Sequence, residues 1–281
     1  MYSTFENIVY DLFLYEKMRK CKKIMMIDID LSQDEIQRYS RHILLRELGG
    51  KGQVSLKTAS VLVVGVGGLG SVVALYLAAA GVGRIGLIDD DKVELSNLQR
   101  QILYDTASIE QKKVSVAAKK LEALNPHVCV EVWDKCLDTA GALDIIQHYD
   151  LVCDGSDNFE TRYSVNAACV QAHKPLIVAA VQGFGGQITA FRPQQGCYHC
   201  LYPQESGSAD VPTCSQAGVL GAVVGLMGTM QATEALKELA GLGTSLVGRL
   251  VCLDALVMRF SEIPVGIDPC CSVCRSGFIR K

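Results

Sequence analysis

The chain has 281 residues, a net charge of −3, 49% hydrophobic residues and 20% charged ones. This composition describes a globular chain that can bury a large core. It argues against nucleic acid and a membrane surface as partners, and its apolar runs break before the roughly 18 residues a membrane span needs. Twelve cysteines in so long a chain, without a secretion signal, do not read as a disulfide scaffold, so a reducing cytoplasm is expected.

Residues 1–30 are expected to be an extension, disordered or arising from an upstream start codon, with Met25 or Met26 the alternative beginning. Residues 8–15 are apolar but interrupted by Asp11, and the basic cluster Lys17, Arg19, Lys20, Lys22 and Lys23 follows them, the reverse of a secretion signal. Residues 31–281 are expected to form one domain of two lobes, 31–180 and 181–281, since no Pro-, Gly- or Ser-rich linker separates them.

Leu31 to Arg46 opens with Ser32 and Glu35 in capping-box spacing and carries Ile36, Tyr39, Ile43 and Leu44 at helical spacing. One helix is expected, ended by Gly49 and Gly50. Arg38, Arg41 and Arg46 read on spacing alone as a solvated basic face.

Ser60 to Asp91 is the stretch around which the chain is organised. An apolar run, Val61 to Val64, enters Gly65-x-Gly67-Gly68-x-Gly70, then a helix, then a second apolar run ending in Asp89, Asp90 and Asp91. Glycines let a backbone turn sharply and approach a phosphate, a helix N-terminus offers N–H groups to an anion, and an acid about 20 residues on can hold a ribose. The unit predicts a nucleotide site without choosing between a dinucleotide and ATP.

Lys92 to Leu103 is expected to be a loop and Asp105 to Leu124 a helix with Lys112 and Lys113 near its start. Cations there oppose the helix dipole, which makes sense beside a bound anion; ordinary surface lysines are the alternative. Val128 to Trp133, Asp150 to Cys153, Pro175 to Val181 and Gly186 to Phe191 are expected strands, with helices at 139–148 and 159–172. The alternation in the last strand predicts a change to antiparallel pairing. Asp154 is expected to form a turn, whereas Asp157, beyond the carboxyl end of a parallel strand, is placed to hold magnesium or orient phosphates.

Cys197-Tyr-His-Cys200 and Cys271-Ser-Val-Cys274 are two Cys-x-x-Cys turns with 70 residues between them. Four thiolates make a closed tetrahedral zinc site, structural in kind. Cys270 is a possible competitor for Cys271, and His199 reads as a bystander. Cys214 precedes a long apolar helix running to about Ala240, where it is either a nucleophile with a lowered pKa or a buried cysteine. Cys129, Cys136, Cys153, Cys169 and Cys252 are expected in the core. Arg249 to Asp254 and Leu256 to Ile263 complete the strands.

Taken together, Arg38-Tyr39-Ser40-Arg41, the glycine turn, Asp89 to Asp91, Ser96-Asn97-Leu98-Gln99-Arg100, Gln111-Lys112-Lys113, Gly155-Ser156-Asp157-Asn158 and the paired cysteine turns resemble, in type and order, the MoeB/ThiF/HesA family of adenylating enzymes. The resemblance covers roughly residues 31 to 275. It implies an α/β fold with a doubly wound, Rossmann-like, mostly parallel sheet continuing into a mixed sheet, and a structural zinc site. It also implies ATP-dependent adenylation of the C-terminal glycine of a small ubiquitin-like sulfur-carrier protein in molybdopterin or thiamine biosynthesis, with a separate sulfur donor.

Carried over by position, the resemblance places Gly65, Gly67, Gly68 and Gly70 at the phosphates and Asp89 at the ribose. Asp91, Ser96, Asn97, Leu98, Gln99, Arg100 and Lys113 fall around the triphosphate, and Asp157, with Asn158 beside it, at magnesium. Arg41 corresponds to an arginine that reaches the neighbouring subunit's site, which implies a homodimer, and Cys214 to a cysteine of sulfur handling. Lys112 departs from the family by replacing a proline. A competing assignment, an NAD-dependent oxidoreductase on the same turn, is opposed by the acid triplet, Ser96 to Arg100 and the zinc tail.

Overall fold

The computed structural model describes residues 31–137, 139–203 and 218–275; the expected extension 1–30 and Cys214 lie outside them. Eight strands form one sheet in the order β3-β2-β1-β4-β5-β6-β7-β8. They are β1 (Ser60–Val64), β2 (Arg84–Ile88), β3 (Cys129–Trp133), β4 (Leu151–Asp154), β5 (Leu176–Gln182), β6 (Gly185–Phe191), β7 (Arg249–Asp254) and β8 (Arg259–Pro264). The first five pair in parallel and the last three antiparallel, so the sheet changes its pairing at Gly186 to Phe191 as the alternation predicts.

The helices are α1 (Gln33–Arg38), α2 (Ser40–Ile43), α3 (Gly49–Thr58), α4 (Gly68–Ala80), α5 (Lys113–Leu124), α6 (Thr139–Ile146), α7 (Phe159–Ala172), α8 (Tyr198–Leu201) and α9 (Gly221–Ala240). Strand β1 shows how they cover the sheet. Val61 and Val63 point into a core shared with Leu77 of α4, Leu121 of α5 and Met227 of α9. Leu62 and Val64 point the other way, to Ile146 of α6 and Val165 of α7. A strand buried on both faces cannot alternate polar with apolar, so it reads as a continuous apolar run. Among the described residues no helix is long and apolar enough to cross a membrane.

Four boundaries differ from expectation. The capping box forms, with Ser32 and Glu35 exchanging hydrogen bonds, but the first helix breaks at Tyr39. This residue is 3% exposed and its hydroxyl accepts from Asn125 Nδ2 at 2.8 Å, so burying the ring decides the break. Gly49 adopts φ +59°, the left-handed conformation of a helix terminator, yet α3 starts there at once because Gln53 and Leu56 dock into the core. Helix α5, expected from Asp105, begins only at Lys113, after a short 3-10 turn at Thr106–Ser108. Before β8, Leu256 to Met258 form a turn rather than the start of the strand.

Candidate nucleotide and carrier cleft with a four-cysteine centre

Strand β1 pairs with β2 on one side and β4 on the other, so the winding reverses between β1 and β4, where open α/β sheets bind ligands. The segments that follow the two strands leave this point through Gly65 and Gly155. A Cβ on Gly70 would lie 1.8 Å from the Gly65 carbonyl oxygen, and Gly65 itself sits at φ +76°. The glycines are therefore there to let the turn, α4 and the loop after β4 touch. Gly67 offers α4 no capping side chain, which leaves the helix N-terminus open to an anion.

The turn is clamped on both sides of one residue. Val66 N–H donates to Asp89 Oδ2 at 2.7 Å, and the Tyr104 hydroxyl donates to the Val66 carbonyl at 2.7 Å. Burial, reinforced by the charges of Asp89 and Asp91, holds the Tyr104 phenol protonated far above its ordinary range. Burial also raises the Asp89 carboxyl, against Lys113 and the N–H groups of Asp91 and Val66, which favour its charge. Asp91 N–H takes the other oxygen of Asp89 at 2.9 Å. A carboxylate oxygen has two lone pairs, so Asp89 keeps capacity for a ribose hydroxyl.

Lys113 is 4% exposed, and its Nζ lies 2.7 Å from Asp91 Oδ2. Its neighbour Lys112 donates to the Asp90 carbonyl and pairs with Asp134 at 3.0 Å. The cations at the start of α5 are thus balanced by the acid loop after β2, which is why a helix can tolerate them there.

These groups open on one cleft of about 860 Å³. Of the expected site residues, Gly65, Gly67, Gly68, Asp89, Asp91, Arg100, Lys113, Asp157 and Asn158 line it. Gly70 serves the close contact behind the turn instead. Ser96, Asn97, Leu98 and Gln99 are not on the lining: Asn97 is buried and donates to Ser96 Oγ, and Leu98 packs on the core. Asn158 also caps α7, accepting from Thr161 N–H at 2.8 Å. Arg41 is exposed on α2, away from the lining. Asp154 makes the expected turn, accepting from Ser156 N–H, and burial raises its carboxyl despite Arg162.

Several cleft residues escaped sequence reasoning. Gln101 is 4% exposed and its Oε1 has no partner among the described residues; it stands beside Gly67. Arg162 is buried and donates to the carbonyls of Ser156 and Ala179. The one signal for it is a charge one turn after Asn158 on a helix that must be buried. Beyond Arg162 the cleft continues past Gly185, Gly186 and Gln187 to Tyr163, Tyr198 and Tyr202. The Gly218 carbonyl accepts the Gly183 N–H at 3.0 Å, and Val219 after it lines the cleft. Cys153 and Cys169 are core residues as expected, but Cys136 is exposed on the cleft rim, because the chain has already left β3.

The Sγ atoms of Cys197, Cys200, Cys271 and Cys274 lie within 4.8 Å of one another, with separations of 3.8, 3.7 and 3.5 Å for the pairs 197–200, 197–271 and 200–274. A tetrahedron with Zn–S bonds of about 2.3 Å has edges of about 3.8 Å. The four thiols therefore fit zinc as they stand. Cys270 is exposed, with its N–H on Asp268, and takes no part. His199 Nδ1 lies 3.8 Å from Cys271 Sγ, beside the cluster rather than in it.

Residues 39–273 match the ThiF family along nearly the whole described chain. The chain belongs to the ThiF family. This ThiF-family chain is 46% identical over 249 residues to the sulfur carrier protein adenylyltransferase of Thermus thermophilus, covering 86% of this chain and 92% of that protein. It is 50% identical over 246 residues to the adenylyltransferase and sulfurtransferase MOCS3 of Sus scrofa, covering 87% of this chain and 54% of that one. It therefore spans about half the length of its MOCS3 relatives. Among solved structures, E. coli MccB with ATP superposes with a TM-score of 0.75 at 25% identity, covering 92% of this chain and 80% of MccB. The ThiF-family fold thus matches the α/β architecture expected from the sequence.

Proposed function

We propose that this protein uses ATP to adenylate the C-terminal glycine of a small ubiquitin-like sulfur-carrier protein. The observation that carries it is the continuity of the cleft. At one end lie an uncapped helix N-terminus, Lys113 and Arg100, which suit a triphosphate; the other end runs between β6 and the tyrosines of α7 and α8, an open channel for an extended peptide tail. A terminal carboxylate oxygen attacks the α-phosphorus, the bond from that phosphorus to the bridging oxygen breaks, and pyrophosphate leaves with the electron pair. Lys113 and Arg100 stabilise negative charge that grows on the phosphoryl oxygens, as positioned cations do in phosphoryl transfer.

Asp157, exposed at the cleft, is the residue that would hold magnesium, which would supply positive charge against the triphosphate. The four cysteines would hold a structural zinc. Arg41 would complete the site of a second copy in a homodimer, and sulfur would come from a separate donor in the reducing cytoplasm. The name of the Thermus relative and the bound ATP of the MccB structure support this reading.

The test is ATP–pyrophosphate exchange with purified protein, magnesium, and the thiamine-pathway and molybdopterin-pathway carriers in turn. Exchange with one carrier is expected and names the pathway. No exchange with either overturns the proposal.

A further inference from the structure

One buried donor beside the cysteine cluster forms no hydrogen bond among the described residues. Asn166, in the third turn of α7, is 1% exposed, and its Oδ1 accepts the Tyr198 N–H at 2.8 Å. Its Nδ2 is buried without a hydrogen-bond partner among the described residues, a state that native interiors rarely tolerate. Asn166 and Cys197 both line a small cavity of about 70 Å³ that also touches Cys274. A protonated thiol is a weak acceptor. A sulfur that has lost its proton to a bound cation is a far better one, and it calls for an N–H.

We infer that Asn166 is a positioning residue for the metal centre, donating an Nδ2–H···S bond to the Cys197 thiolate of the zinc form while its Oδ1 fixes the backbone of Tyr198. The inference rests on the zinc assignment proposed above. It gives the orphan donor a partner, and it gives a reason for a polar amide buried one helical turn before the core residue Cys169. It also joins two parts of the molecule. Helix α7 starts at the cleft, directly after Asp157 and Asn158, and Tyr198 places its ring on the cleft wall. The metal therefore holds, through one side chain, both the helix and the strand-to-helix turn that flank the carrier channel.

Partners of this kind typically change metal affinity 10- to 100-fold when removed. The experiment follows zinc release from the intact protein to a chromophoric chelator. Wild type is expected to hold one zinc per chain; if it holds none, the zinc assignment fails, and the inference with it. N166D keeps the acceptor for Tyr198 and removes the donor, so it should release zinc about 10- to 100-fold faster, as should N166A. Zinc release from N166D at the wild-type rate overturns the inference even if N166A is fast, because the effect would then run through Tyr198. Should N166D fail to fold, the unmutated protein decides: loaded with cadmium-113, it is expected to show scalar coupling between the metal and an asparagine side-chain proton, and the lack of that coupling overturns the assignment.

Discussion

Lys113 offers a demanding test of the proposed chemistry. Its ammonium is buried while its partner Asp91 is 66% exposed, so the ion pair itself contributes little to stability, on the order of 1 kcal/mol or less after solvent screening. For the bound triphosphate the balance differs. Two unit charges about 4 Å apart interact by about 4 kcal/mol at an effective dielectric near 20, and losing one positioned electrostatic donor typically costs about 10²- to 10³-fold in kcat. The variant also leaves Asp89, which burial already disfavours as an anion, without the Lys113 charge that favours its ionised form. K113A is therefore expected to lose about 10²- to 10³-fold in carrier-dependent pyrophosphate exchange, while its thermal midpoint moves by only a few degrees. The assay is exchange at saturating ATP and carrier, with thermal melting alongside. Exchange within threefold of wild type in a folded K113A would refute the reasoning, because the cation would then not face the developing charge.

Four further outcomes follow from the geometry. Gly70→Ala places a methyl 1.8 Å from the Gly65 oxygen and should destabilise by about 1–3 kcal/mol or more with loss of ATP binding; Gly225→Ala, in open space on α9, should stabilise by up to about 1 kcal/mol, and denaturant melts of the two distinguish a packing constraint from a general intolerance of glycine replacement. Mixing and reassociating R41A with K113A should restore exchange well above that of either variant alone if Arg41 acts in the neighbouring subunit's site; no recovery in a mixed dimer would remove Arg41 from that role. Stripping zinc should lower the thermal midpoint, since metal held at a thousand times its Kd contributes about 4 kcal/mol, and a melt unchanged by chelation would remove the structural role. Glu35 is opposed by burial, but the Ser32 N–H, Lys57 and the Ser32 hydroxyl outweigh that and lower its pKa below 4.5. Its contribution is thus present above that value and lost as pH falls through the folded-state pKa, so the stability gap between wild type and E35Q should be widest near neutrality and close on acidification.

The Asp91–Lys113 pair shows where local and long-range information divide. Both residues could be singled out in the sequence, one as the third acid after a strand and the other as a cation at a helix start. Their meeting at 2.7 Å follows from docking the loop after β2 against α5, a contact across 22 residues. The glycine turn, the two cysteine turns and the strands buried on both faces were legible because each depends on short-range rules: sterics of φ and ψ, chelate spacing, and the apolar runs of a two-sided sheet.

What the chain alone determined is therefore the order of the elements, the change to antiparallel pairing at β6, and the chemistry of the Gly-x-Gly-Gly-x-Gly turn and the four thiols. What only the tertiary structure decided is who faces the cleft. Gln101 and Arg162 enter it unannounced, Ser96 to Gln99 stay off its lining, Tyr39 breaks a helix that periodicity would continue, and Gly49, expected to end that helix, opens α3. The physical reason is common to these cases. Periodicity and spacing encode which face of an element is apolar, but packing against elements tens of residues away sets which polar atoms are left pointing at one another.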